Sequence, residues 1–219
     1  MTAPEERTPS SPERVPLQHH DPALYRRRLW SGLFGVLLFA SAFGGIAGLI
    51  GGQVAGLVVA AVIGLPLLYV MLFNLRRRIW LEGNDLVVRT WGIRRIDLVA
   101  AERLDLLITE VRGTRTVALM INAGQRGKAV KVDLATYAGT GGRELDILAL
   151  RKLANAVMSN VEANGMVFAE LLVAQLRSEA RGDGLEGRPL HRLATAAPSG
   201  KLAQRYPMET ISRFVASLD

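Results

Sequence analysis

A membrane α-helical hairpin followed by an α+β cytoplasmic domain is the fold class this sequence predicts, on three observations. Leu29 to Leu75 is a run of 47 residues without a charged side chain. Arginine triplets bracket it, Arg26-Arg27-Arg28 before and Arg76-Arg77-Arg78 after. Beyond Arg78 the apolar residues recur with a period near two, and beyond Gly142 with a helical period.

Taken in order, residues 1–24 hold five of the nine prolines with scattered Glu, Arg and Ser. Such a stretch buries too little apolar surface to offset ordering, so a disordered cytoplasmic arm is expected. The apolar run begins too late and runs too long for the core of a cleavable signal peptide.

Residues 25–78 form the predicted hairpin. A single helix over the run would be about 70 Å long at about 1.5 Å per residue, against a hydrocarbon core of about 30 Å. Two helices of roughly 20 residues fit, with the turn at Gly51-Gly52-Gln53. Both arginine triplets then fall on one side of the membrane. Positive flanks stay cytoplasmic, so two spans with both termini inside are predicted. Gly44, Gly48, Gly52 and Gly56 recur every fourth residue. Small residues at that spacing let helices approach closely, either within one hairpin or between two copies in a dimer. Pro66 should kink the second helix, and Trp30 and Trp80 lie just beyond the two ends, where indoles favour the interface. The run contains none of the ionisable groups that ion pathways and proton relays need, so it reads as an anchor.

Residues 79–160 carry about six short strands and a helix. Ile79–Glu82 and Leu86–Trp91 flank the turn Gly83-Asn84-Asp85, and Gly92-Ile93 leads into Arg94–Leu98. Leu104–Val111, Thr116–Asn122 and Lys128–Leu134 follow, the last with clean apolar and polar alternation. No helix between them is long enough for a parallel crossover, so an antiparallel meander is expected. Gly139-Thr140-Gly141-Gly142 then breaks the pattern, and Arg143–Asn160 is predicted helical, covering the sheet. Those glycines are an ordinary loop and cap, or a helix start able to hold an anion. A second amphipathic helix is predicted within residues 161–181, a flexible linker over 182–205, and a short helix over 206–219. In that last helix Ile211, Phe214, Val215 and Leu218 make one apolar stripe, suited to its own domain or to a partner's groove.

The stretch Ile79-Trp80-Leu81-Glu82-Gly83-Asn84-Asp85-Leu86-Val87-Val88-Arg89-Thr90-Trp91-Gly92-Ile93-Arg94-Arg95-Ile96-Asp97-Leu98 resembles the bacterial pleckstrin-homology-like domains found beside transmembrane hairpins. The resemblance spans about Arg78 to Asn160 and rests on pattern. It implies a curved antiparallel β-barrel or meander capped by a C-terminal helix, and a binding or assembly module that is often oligomeric. Relatives that bind inositol lipids carry basic residues in the first strand loop. Here Glu82 and Asp85 stand around that loop and would repel phosphate. Arg89, Arg94 and Arg95 are candidates for contact with anionic headgroups, as are the two triplets, or are simply a solvated strand face.

Composition narrows the chemistry. The chain has 219 residues and a net charge of +7, but no basic stripe interleaved with aromatics, so lipid is favoured over nucleic acid. With no cysteine, disulfides and thiolate chemistry are excluded. The three histidines are His19, His20 and His191, and no nucleophile elbow, zinc helix or phosphate loop occurs. Gly124-Gln125-Arg126-Gly127-Lys128 reads as a hairpin turn. No cofactor, metal or catalytic site is expected. The expected role is a non-enzymatic, membrane-anchored module at the inner membrane that binds a protein partner or itself. The alternative is a lipid or small-ligand sensor using the basic β-face.

Overall fold

The computed structural model describes residues 14–17, 22–124, 129–198, 200 and 202–218. The chain is of the α+β class, with one long apolar helical segment near the N-terminus, two antiparallel sheets and further helices. It divides into two units. One comprises His20–Arg78 with Val88–Ile93; the other comprises Ile79–Val87 and Arg94–Asp219 with the N-terminal stretch that holds the first strand.

In the first unit, α1 runs over Pro22–Arg76 and is broken at Gly52, where φ is +84° and ψ is 173°. Only glycine adopts that backbone without strain. Residues on either side of the break touch in pairs centred on Gly52. A β-carbon on Gly32 would meet Met71 Sδ at 3.2 Å, one on Gly64 would meet Ala40 Cβ at 3.2 Å, and one on Gly44 would meet Ala60 Cβ at 2.7 Å. A β-carbon on Gly48 would in turn stand 3.6 Å from the Gly56 Cα. The turn at Val88–Ile93 belongs to the same unit.

The second unit is built on two sheets. The strands are β1 (Arg14–Pro16), β2 (Arg78–Glu82), β3 (Asp85–Arg89), β4 (Ile93–Asp97), β5 (Arg103–Val111), β6 (Thr114–Asn122), β7 (Val130–Ala138), β8 (Gly141–Glu144) and β9 (Ala203–Tyr206). One sheet has the order β1-β2-β3-β4 and the other β8-β7-β6-β5-β9. The six predicted strands correspond to β2 through β7, each within a few residues of its expected ends. They divide between two sheets instead of forming one meander. A two-residue turn with Gly83 at φ +63° joins β2 to β3, and β6 and β7 shift register at Val117/Ala118. Leu81, Leu86, Leu98, Leu106, Leu119, Ile121 and Leu134 supply the buried face.

Helix α2 (Ile147–Met158) starts later than expected, behind Asp146, whose carboxylate accepts from the Leu148 N–H at 3.1 Å. It buries Leu150, Leu153 and Val157 and packs on α3 (Gly165–Ala180). Gly165 is required between them, because any β-carbon there would strike the Val157 carbonyl. Asn160, 1% exposed, closes the corner: its amide donates to the carbonyls of Leu98 at 2.7 Å and Ala101 at 2.8 Å.

Three expectations are corrected. Within the arm predicted to be disordered, β1 pairs with β2 through Val15 opposite Leu81, and Val15 and Leu17 are buried. Residues 1–13 and 18–21 of that arm lie outside the described residues. The predicted linker is folded over most of its length: it contains a 3-10 turn at Leu185–Gly187, α4 (Pro189–Ala196) and β9, which pairs with β5. Gly141 and Gly142 lie in β8 rather than at a helix start, so the anion-holding alternative for them falls away. Gly142 is there because a β-carbon would stand 2.6 Å from the Tyr137 ring. The last helix, α5 (Met208–Ala216), lies where predicted.

Candidate membrane-contact and docking surfaces

Of the arginines expected to meet headgroups, Arg26, Arg76, Arg78, Arg89 and Arg95 are exposed, and Arg77 and Arg94 are half-buried. The side chains of Arg27 and Arg28 lie outside the described residues. Arg95 is engaged: its guanidinium is 3.7 Å from Glu82, which also has Arg14 at 3.5 Å. The acid that disfavours phosphate at the first strand loop is thus partly neutralised within the sheet.

Arg76 is held by a residue that sequence reasoning did not single out. Its guanidinium lies 5.1 Å from the centroid of Trp91, and Trp91 stacks on Tyr69 with centroids 5.9 Å apart and planes 7° apart. Trp91 caps a tight turn in which the Thr90 N–H donates to the Gly92 carbonyl at 3.0 Å. The available signal was an aromatic before Gly92 in a hairpin close behind an arginine triplet.

The glycine row is used inside the chain. Gly44, Gly48 and Gly56 face one another across the break, and Gly52 makes it. In the second unit, the stripe of α5 lies against α3 and β5. Ile211 is fully buried, whereas Phe214, Val215 and Leu218 are half-buried. The Arg192 guanidinium covers the Phe214 ring at 5.6 Å. The docking stripe is therefore largely occupied by its own domain, and a partner would have to displace α5 to use Ile211.

A second polar group that the sequence did not reveal joins Tyr137, Glu144 and Arg188. The Tyr137 hydroxyl donates to Glu144 Oε1 at 2.7 Å, and Arg188 pairs with the other carboxylate oxygen. Burial, then the hydrogen bond to Glu144, pushes the Tyr137 pKa upward. His191 meets the Tyr137 ring edge-on at 4.9 Å. This group acts as a clamp. Nearby, Gln175 accepts from the Leu190 N–H at 3.0 Å, satisfying a donor in the first turn of α4, and Arg115 donates to the Ala194 carbonyl at 2.8 Å near its end. Side chains of α3, β6 and β8 thereby fix a segment whose composition reads as a linker.

Among the described residues no group of His, Asp and Glu is arranged to hold a metal. His19 and His20, and Gln125 to Lys128 of the glycine-bearing turn, lie outside the described residues. Comparison with protein-family models, curated proteins and solved structures finds no match for this chain.

Proposed function

We propose that this protein is a non-enzymatic module anchored in the bacterial inner membrane by a two-span hairpin, and that its pleckstrin-homology-like domain assembles or recruits proteins at the cytoplasmic face. The observation that carries the reading is the uncharged run of α1, with its Gly52 break and mirror-paired contacts. Leu49 and Ile50, beside the break, are 90% and 85% exposed. Apolar exposure continuous over such a length is unfavourable in water and favourable in lipid. Each limb matches the roughly 20 residues a span requires, and the arginine triplets at both ends support a cytoplasmic location for both termini.

The order β2 to β8 followed by α2 supports the pleckstrin-homology-like reading. The non-enzymatic reading is supported by the clamp, whose polar groups bond one another, and by the chemistry that the sequence lacks. With α5 folded back, the surface best suited to a partner is the corner between α2 and α3. There Met158, Val161 and Met166 are 51%, 86% and 61% exposed. Flexible thioethers adapt to varied partner surfaces.

The cysteine-free chain makes the topology directly testable. Gln53→Cys should react with a membrane-impermeant maleimide from outside intact cells, and Ser217→Cys only after lysis. Labelling of both from the same side would refute the two-span reading. Photocrosslinking from position 161 in membranes then reports recruitment. A discrete product, from a second copy or another protein, is expected, and none would count against the assembly role.

A further inference from the structure

We infer that the turn Trp91-Gly92-Ile93 is a membrane-interface anchor, inserting its apolar tip among lipid headgroups beside the end of α1. This rests on the membrane reading above and adds a third element to the membrane contact, one that lies outside the apolar run.

Three observations carry it. Trp91 and Ile93 are 57% and 65% exposed although both are large and apolar, and they point from a turn of only a few residues. The turn belongs to the same compact unit as α1, not to the remainder of the strands that it joins. Its depth is set by its contacts: Trp91 stacks on Tyr69 and lies under Arg76. Tyr69 precedes Arg76 by seven residues, so the indole occupies the last two turns, within about 10 Å of the charged end of the helix. That is the depth at which indole and phenol rings settle, with apolar faces toward acyl chains and polar atoms toward water. Arg76 above the ring supplies a cation for lipid phosphate. Arg89 and Arg94 flank the turn, each worth about 1 kcal/mol against an anionic surface. The nearby acids do not outweigh them: residues 76–97 hold six arginines against Glu82, Asp85 and Asp97, and Glu82 is shared between Arg14 and Arg95.

The chain has three tryptophans, Trp30, Trp80 and Trp91. The test uses the full chain with Trp30→Phe and Trp80→Phe, so that Trp91 alone emits, in phosphatidylcholine/phosphatidylglycerol vesicles with brominated acyl chains. Blue-shifted emission is expected, with about twofold quenching by bromines near the ester end of the chain and less by bromines near its methyl end, as for an interfacial indole. Water-like emission, quenched by iodide and untouched by bromine, overturns the inference. A second variant avoids reliance on the tryptophan replacements: Ile93→Cys carrying a nitroxide should be more accessible to oxygen than to a water-soluble nickel chelate, and the reverse order also overturns it. A Trp30-only chain separates the two levels. If Trp30 is quenched by bromine and Trp91 is not, the anchor fails while the membrane reading stands. If neither is quenched and alkaline carbonate releases the protein, both fail.

Discussion

Gly44 and Gly56 meet backbone to backbone: a β-carbon on Gly56 would stand 2.6 Å from the Gly44 carbonyl oxygen. Contact that close is available only to glycine, and it lets the two limbs of α1 approach backbone to backbone. A branched side chain should push them apart. We therefore predict that Ala40→Cys with Gly64→Cys, facing positions three turns from the Gly52 break, forms an intrachain disulfide on mild oxidation. Adding Gly56→Val should abolish most of that crosslink, at a cost of about 1–3 kcal/mol in packing. Non-reducing gel mobility of the full chain in membranes reads both. Undiminished crosslinking in the valine variant would mean that the glycine contact does not set the approach.

Asn160 governs a different corner. Its buried amide satisfies two carbonyls in the segment between β4 and β5, and its own carbonyl oxygen accepts from the Ala163 N–H at 2.8 Å. Asn160→Leu keeps the branched shape and the number of side-chain heavy atoms but leaves those groups without partners, each costing about 1–3 kcal/mol when buried. The thermal midpoint of the detergent-solubilised protein should fall by several degrees, and Asn160→Asp, which loses the donors and adds a charge, should fall further. Equal midpoints for both variants and the parent would show that the corner is held by packing alone.

These examples mark where the sequence was legible. Period-two alternation in Lys128–Leu134 located β7, and Leu145, Leu150, Leu153 and Val157 located α2, because both patterns are local and repeat. β1 was not legible. It is three residues, Arg14-Val15-Pro16, in a proline-rich context, and it exists because β2 offers an edge on which a proline is tolerated. α4 did carry a signal, Pro189 at its first position with Leu190, Leu193 and Ala194 buried at helical spacing. Surrounding Gly, Ser and Ala outweighed it, since what holds α4 comes from Gln175, Arg115 and Glu144, remote in sequence. Of the candidate surfaces, the arginines and the glycine row were visible as repeats. The Tyr69–Trp91–Arg76 stack was not, because it joins a helix to a later turn.

Alkaline pH should reveal the clamp. The unfolded Tyr137 hydroxyl titrates near its ordinary value of 10.0, whereas burial and the Glu144 carboxylate keep the folded one protonated well above that. Between the two, the unfolded state holds fewer protons than the folded state, so stability falls as pH rises. The contribution is intact below pH 10 and the loss reaches about 1.4 kcal/mol at pH 11. Tyr137→Phe should flatten this limb. A smaller residue of the same sign is expected from Tyr206, whose pKa burial also raises. Chemical denaturation of both proteins from pH 8 to 11 tests it, and parallel profiles would exclude Tyr137 as the source.

Arg188→Ala should release the segment that α4 anchors. The substitution removes the cation from beside Glu144, 6% exposed at its side chain, and a buried pair broken on one side costs about 3–5 kcal/mol. Residues 182–204 should resist proteolysis in the parent and become the first cleavage site in the variant. Rapid cutting of the parent there would restore the linker expected from composition.

The terminal helix offers the sharpest choice between folding and recruitment. A stripe reserved for a partner contributes little to the free protein, whereas one packed on α3 and β5 is part of its core. Ile211, with no exposed surface, lies on the second side of that choice, and Arg213, exposed on the same helix, serves as the control. Ile211→Ala is predicted to destabilise the full chain by about 2–5 kcal/mol, the usual cost of emptying a buried isoleucine site. Arg213→Ala should stay within about 0.5 kcal/mol. Equilibrium unfolding in detergent separates the two. If Ile211→Ala is as stable as the parent but loses a crosslinked partner in membranes, α5 belongs to the partner. If it is destabilised and Arg213→Ala is not, any loss of a crosslinked partner on deleting residues 206–219 reflects damage to the domain, and the proposed recruitment is tested next at the Met158–Val161–Met166 corner.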